Sequence, residues 1–146
     1  MDVQHTTDEA AIRQRIDTLV EAIRAADLDG VMRTYAPDIV SFDAGPPLGH
    51  RGAQAKSKNW VEVFTAFQRP IGYAIGDLTV TVDGDVAFAY SLNRISGTLG
   101  NGATTSAWVR WTACLRKRGG NWLIVHDHVS VPFDPATGRA LLDLEP

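Results

Sequence analysis

Apolar residues recur at helical spacing in two stretches of the chain and alternate with polar ones in most of the rest. Ile12, Ile16, Leu19, Val20 and Ile23 lie three or four residues apart, with Arg13, Asp17, Glu21 and Arg24 opposite. That spacing predicts an amphipathic helix. Thr7 is placed to cap it ahead of Asp8-Glu9, whose charge suits a helix start, and the pattern runs to about Ala26. Asp27 and Asp29-Gly30 close it, and Val31 to Tyr35 reads as a short second helix broken at Pro37. Ile39 to Asp43 reads as a short strand, followed by an irregular loop with Gly45, Pro46, Pro47 and Gly49. Trp60, Val63, Phe64 and Phe67 then restore a helical stripe between Gly52 and Phe67.

From Gly72 onward the period falls to two. Gly72 to Val82 predicts a strand ended by the Asp83-Gly84 hairpin signal. Asp85 to Leu99 and Ala103 to Arg118 predict two more, separated by Gly100-Asn101-Gly102. Gly119-Gly120 precede the last, Trp122 to Phe133, and Gly138 to Pro146 reads as a short tail. Helices first, then hairpin-linked strands, indicates one α+β domain spanning residues 1–146. Strands this long twist and curl, so the sheet is expected to be conical, with the helices covering its concave face.

Alternation also divides each strand into faces. In the last strand Leu123, Val125, Asp127, Val129 and Val131 form one row; Trp122, Ile124, His126, His128 and Ser130 form the other. The aliphatic row is assigned to the cone, which carries Asp127 inward with it. A carboxyl group in such a row is costly unless paired, hydrogen-bonded or facing a cavity. Choosing the bulkier apolar row likewise places Val109, Trp111, Ala113 and Leu115 inside, together with Val86, Phe88, Tyr90, Leu92 and Arg94. The back of the sheet then presents Trp108, Arg110, Thr112, Trp122, His126 and His128. So aromatic a surface points to a partner subunit, and a homodimer through that face is expected.

Composition narrows the functions. The chain has 146 residues, 45% of them hydrophobic, enough for a substantial core. Its net charge of -3 and the lack of a basic patch argue against a nucleic-acid partner. Cys114 is the single cysteine, which excludes a disulfide framework and weakens the case for structural zinc. No apolar run is long enough to cross a bilayer, and the polar first residues lack the core of a signal peptide, so a cytoplasmic protein is expected. Gly45 to Gly52 lacks the lysine ending of a phosphate loop, and Ser130 beside His128 lacks the geometry of a nucleophilic dyad.

Three segments carry a family resemblance: TYAPDIVSFDAGPPLGHRG from Thr34, DVAFAYSLNRISG from Asp85, and RWTACLRKRGGNWLIVHDHVSVPFD from Arg110. With the element order, they make the chain similar to the nuclear transport factor two-like superfamily, and within it to SnoaL-like and ketosteroid-isomerase-related proteins. The resemblance implies a cystatin-like α+β roll and covers nearly the whole chain. In ketosteroid isomerases a tyrosine-alanine pair precedes a strand ending in the general-base aspartate. Here the pattern runs from Tyr35-Ala36 to Asp43, which implies that Asp43 takes the base's place. The same comparison puts Leu19 and Thr112 where those enzymes keep their two oxyanion donors. The final strand also resembles the association domain of calcium/calmodulin-dependent kinase, an oligomeriser whose histidines lie away from the pocket.

The candidate site therefore joins Asp43 and Asp127 as an acid–base pair in an apolar cavity, where two carboxyl groups titrate apart. The competing readings are a loop-bracing acid for Asp43 and, for Asp127, a buried ion pair with Arg94 or Arg110. Tyr35, Trp60, Phe64, Tyr90, Arg94 and Trp111 are the expected ligand contacts, and Trp108, Arg110, His126 and His128 the expected interface. A metal site at His126 and His128 would need a third ligand that His5 and His50 are not placed to give, and no cofactor is implied. The expected ligand is a small, largely apolar organic molecule with a polar group. The expected activity is isomerase-, cyclase- or hydratase-type proton transfer, with a non-catalytic binding or association module as the alternative.

Overall fold

A computed structural model describes residues 3–146. Helix α1 is Val3–Arg24, α2 Leu28–Met32 and α3 Ala53–Ala66. The strands are β1 Tyr35–Phe42, β2 His50–Arg51, β3 Gly72–Asp83, β4 Val86–Thr98, β5 Thr104–Arg118 and β6 Asn121–Ser130. They form one six-stranded, curved and unclosed sheet in the order β2-β1-β6-β5-β4-β3. All neighbours are antiparallel except β1 and β6, which run parallel. Helix α1 lies against β3 and β6, and α3 against β1. The α+β roll with N-terminal helices on a curved sheet is therefore the observed fold.

Helix α1 starts a turn earlier than its sequence pattern indicates. Thr7 is inside it, its hydroxyl donating to the Val3 carbonyl at 2.9 Å, and no cap forms there. Asp8 is instead drawn into the protein, accepting from Lys117 at 3.0 Å and from the Trp122 indole at 3.3 Å. Helix α2 starts at Leu28 and not at Val31, because Asp27 caps it: its carboxylate accepts from the Gly30 amide at 3.0 Å. Tyr35 already belongs to β1, which is longer than foreseen, and β2 is an element that alternation over two residues could not reveal.

Two face assignments change. In β4 the buried row is Ala87, Ala89, Ser91 and Asn93, while Val86, Phe88, Tyr90 and Leu92 are 41–50% exposed. The register explains it: Ser91 pairs with Trp111 and Tyr90 with Thr112, and residues opposite each other share a face. With Trp111 inward, Tyr90 must point outward. Small side chains fill the inner face of β4 because α1 supplies Ile12, Ile16, Leu19 and Ile23 to the same core. In β6 the register slips between Cys114 and Leu115, leaving Val125 as an extra residue. This bulge turns Trp122 and Ile124 into the core together with Asp127, where strict alternation had placed them on the back. Among the described residues no helix is long and apolar enough to cross a membrane.

Candidate functional site

Parallel pairing of β1 with β6 sets Ser41 beside Asp127. Ser41 is fully buried and Phe42 exposed, so the next inward position falls to Asp43. The side chain of Asp43 is 4% exposed and that of Asp127 2%. The two carboxyl groups thus reach one place from adjacent strands.

Lys56 meets them there. It lies one helical turn before Trp60, on the same face of α3, and both are buried. Its ammonium is 2.6 Å from Asp43 Oδ1 and 3.5 Å from Asp127 Oδ2. It also lies 5.5 Å from the Tyr35 ring centre and 5.8 Å from that of Trp60, within the range of attraction between a cation and an aromatic face. Ser41 donates to Asp127 Oδ1 through a short hydrogen bond, and its hydroxyl is 3.5 Å from Asp43 Oδ2. His50 Nε2 is 3.4 Å from the same Asp43 oxygen. Buried charges persist only when paired and hydrogen-bonded, and here each carboxyl group has both kinds of partner. The ion-pair partner of Asp127 is Lys56, not Arg94 or Arg110.

A cavity of about 240 Å³ opens beside this cluster. Asp43, Lys56 and Asp127 line its polar side, with Leu19, Trp60 and Trp111 among its apolar walls. The indole N–H of Trp60 donates to the Tyr35 hydroxyl at 2.8 Å. Tyr73 also lines the cavity and accepts from the Asn93 amide at 2.9 Å. Burial pushes the Tyr73 phenol up to about 12, opposed by the Asn93 hydrogen bond and reinforced by the Asp127 charge. Burial, then the charge of Asp127, raises the Tyr35 phenol well above its ordinary value. Both phenols therefore stay neutral donors at physiological pH.

Of the expected ligand contacts, Tyr35, Trp60 and Trp111 line this cavity. Phe64 stands behind, its ring 5.5 Å from that of Trp60. Tyr90 and Arg94 are corrections: both are exposed on the opposite face of the sheet, and Arg94 donates to Ser106 there at 2.9 Å. Thr112 is exposed on that outer face too, so it cannot stand in for an oxyanion donor. His126 and His128 lie there with Phe42, whose ring is 4.9 Å and 5.7 Å from theirs. His126 Nδ1 is 2.6 Å from the Val40 carbonyl oxygen, and Arg110 donates to Ser130 at 3.0 Å. Trp108 is half-buried on the same side. Among the described residues no group of three or more His, Cys, Asp or Glu is arranged to hold a metal ion.

Sequence reading missed Lys56, His50, Ser41 and Tyr73. The signal for Lys56 was present: a lysine four residues before Trp60 interrupts the apolar stripe of α3, as Asp127 interrupts that of β6. His50, Ser41 and Tyr73 had no comparable signal, because strand pairing brings the first two to the carboxyl groups and the third to the cavity.

The model of the SnoaL-like domain family matches residues 12–134. A nuclear transport factor two-like protein of unknown function from Pseudomonas putida is 37% identical, with a TM-score of 0.88 over 97% of this chain and 98% of that one. A ketosteroid isomerase-like protein from Erwinia carotovora atroseptica is 26% identical, with a TM-score of 0.71 over 83% of this chain and 93% of that one. The association domain of C. elegans CaMKII, at 17% identity, shares the fold, with a TM-score of 0.69 over 88% of this chain and 99% of that one. Comparison with curated proteins gives no match.

Proposed function

The chain belongs to the SnoaL-like domain family, and from that premise we propose that it binds a small, largely apolar carbonyl compound and transfers a proton next to its carbonyl group. The observation that carries this reading is the convergence of Asp43 and Asp127, both nearly inaccessible, on one open cavity. A module that served only for association could pair these carboxyl groups with Lys56 and still have no use for the open hollow beside them. Asp43 is the base: it takes a proton from the carbon beside the carbonyl, the C–H electron pair passing to the carbonyl oxygen as an enolate, and a proton that can exchange with water returns to that carbon, or to the far carbon of a conjugated double bond where the ligand has one. Asp127, fixed by Ser41, orients Lys56, and Lys56 in turn holds Asp43. Trp60 and Trp111 supply the walls.

Deuterium exchange into the methyl group of acetophenone, followed by proton NMR in heavy water, tests the reading. The wild-type protein should accelerate exchange, and Asp43→Asn should lower that acceleration by about 10²–10⁴-fold, the usual worth of a positioned base. Equal exchange with both proteins would remove Asp43 from the chemistry.

A second property is favoured by the outer face of the sheet. Phe42, Val86, Phe88, Tyr90 and Leu92 are each 41–50% exposed on it, and the Phe88 and Tyr90 rings stack with centres 6.5 Å apart. We propose that a second copy of the chain covers this face, with Trp108, Arg110, His126 and His128 inside the contact. Self-association and proton transfer would then occupy opposite faces of one sheet.

A further inference from the structure

We propose that Tyr35 and Tyr73 form the oxygen-binding end of the cavity, donating two phenol hydrogen bonds to the carbonyl oxygen of a ligand of which one ring with short substituents is enclosed. The inference rests on the carbonyl reading of the cavity and adds to it the enclosed part of the ligand and the groups that hold it.

An indole N–H can only donate, so the Tyr35 oxygen accepts from Trp60 and its own proton remains to be given. Tyr73 is held in the same way. The Ser91 hydroxyl donates to Asn93 Oδ1 at 2.5 Å, which turns the amide nitrogen of Asn93 toward the Tyr73 oxygen at 2.9 Å. Among the described residues neither phenol donates to a protein acceptor. Both line the cavity. Both feel the charge of Asp127, which places them within electrostatic reach of the acid cluster.

A proton leaving the carbon beside a carbonyl shifts negative charge from the base to the carbonyl oxygen. The net charge of the cavity does not change in that step, so two neutral donors suffice to receive it. Neither tyrosine occupies the places where the family comparison put the two donors. Leu19 is an apolar wall of the cavity and Thr112 is on the outer face. Size follows from volume. A dry cavity of about 150 Å³ accepts a benzene ring, and this one measures about 240 Å³. The hollow therefore encloses a ring and a short side chain, and anything larger extends through its open side.

Acetophenone labelled with ¹³C at the carbonyl provides the test. Isotope-edited infrared difference spectra of the bound probe should show the carbonyl stretch at lower frequency than in an apolar solvent. Tyr35→Phe and Tyr73→Phe should each move it back part of the way and weaken binding about threefold to tenfold, the worth of one neutral hydrogen bond. If Tyr35→Phe fails to fold because the Trp60 N–H loses its acceptor, Tyr35→Phe/Trp60→Phe removes both partners, and it should show the same loss of carbonyl shift relative to Trp60→Phe alone, which already carries the altered wall. A bound probe with an unshifted carbonyl, a shift that survives both tyrosine substitutions, or no binding at all would overturn the proposal. The shift is read without turnover. A carbonyl shift with no deuterium exchange would therefore leave the donor pair standing and remove the base, and exchange with no shift would do the reverse.

Discussion

Lys56 is the residue on which the site's charge balance turns. It is 1% exposed and is the only ammonium within ion-pair distance of two nearly buried carboxyl groups among the described residues. A buried ion pair contributes little net stability when intact, yet breaking one by removing a partner is severe, because the remaining charge keeps its desolvation cost. Lys56→Met should therefore lower unfolding stability by about 3–5 kcal/mol in urea titrations at neutral pH. Adding Asp43→Asn and Asp127→Asn to that variant should restore most of the loss, since the orphaned charges go with it. A single Lys56→Met protein as stable as the wild type would show that the two carboxyl groups do not depend on the ammonium.

At the scale of the element, helix α1 is tied to the sheet near its start by Asp8, which receives hydrogen bonds from Lys117 of β5 and Trp122 of β6. The Lys117 contact holds the Asp8 carboxyl below its ordinary value, against the opposing effect of burial. A carboxyl depressed in the folded state stabilises the fold at pH above its unfolded value and ceases to do so as the pH falls through its folded one. Asp8→Asn should therefore be less stable than the wild type at pH 7, and the gap should narrow steadily below about pH 4. A gap that stays constant down to pH 2 would mean that the carboxylate charge contributes nothing to this tie. The same strands show how far sequence reaches. The strands β3 to β6 were legible because alternation and glycine turns are local signals, and Asp127 betrayed itself as a carboxyl group in an aliphatic row. The inward face of β4 was not legible, because it depends on which residue opposes Trp111, a matter of register across a hairpin. The bulge at Val125 was hidden for a similar reason: it turns Trp122 and Ile124 inward with Asp127, and no feature of residues 122–131 taken alone marks the slip.

At the scale of the whole molecule, the sheet separates two kinds of surface. Against its inner face Asp43 and Asp127 meet Lys56 of α3 beside an apolar hollow, and its outer face holds a row of apolar side chains that the chain itself does not cover. Rung by rung, Tyr90 of β4 pairs with Thr112 of β5, Thr112 with His128 of β6, and His128 with Phe42 of β1. Four strands thus present one continuous outer surface, and Phe88 and Leu92 flank Tyr90 on its own strand. Isolated exposed apolar residues are ordinary on a protein surface, but Val86, Phe88, Tyr90 and Leu92 adjoin one another along β4, with polar residues of β5 and β6 beside them, and an apolar patch rimmed by polar residues marks a contact. A two-fold axis through this field would bring like residues together and bury Tyr90 near the centre, where large aromatic side chains contribute most to an interface. Sedimentation equilibrium should accordingly report about twice the monomer mass for the wild type. Tyr90→Glu would place two like charges at the centre of the buried field and should yield a monomer that keeps its deuterium exchange activity, since the Tyr90 side chain faces away from the cavity. A wild-type protein that sediments as a monomer at all concentrations, or a Tyr90→Glu variant that remains a dimer, would rule out this face as the contact.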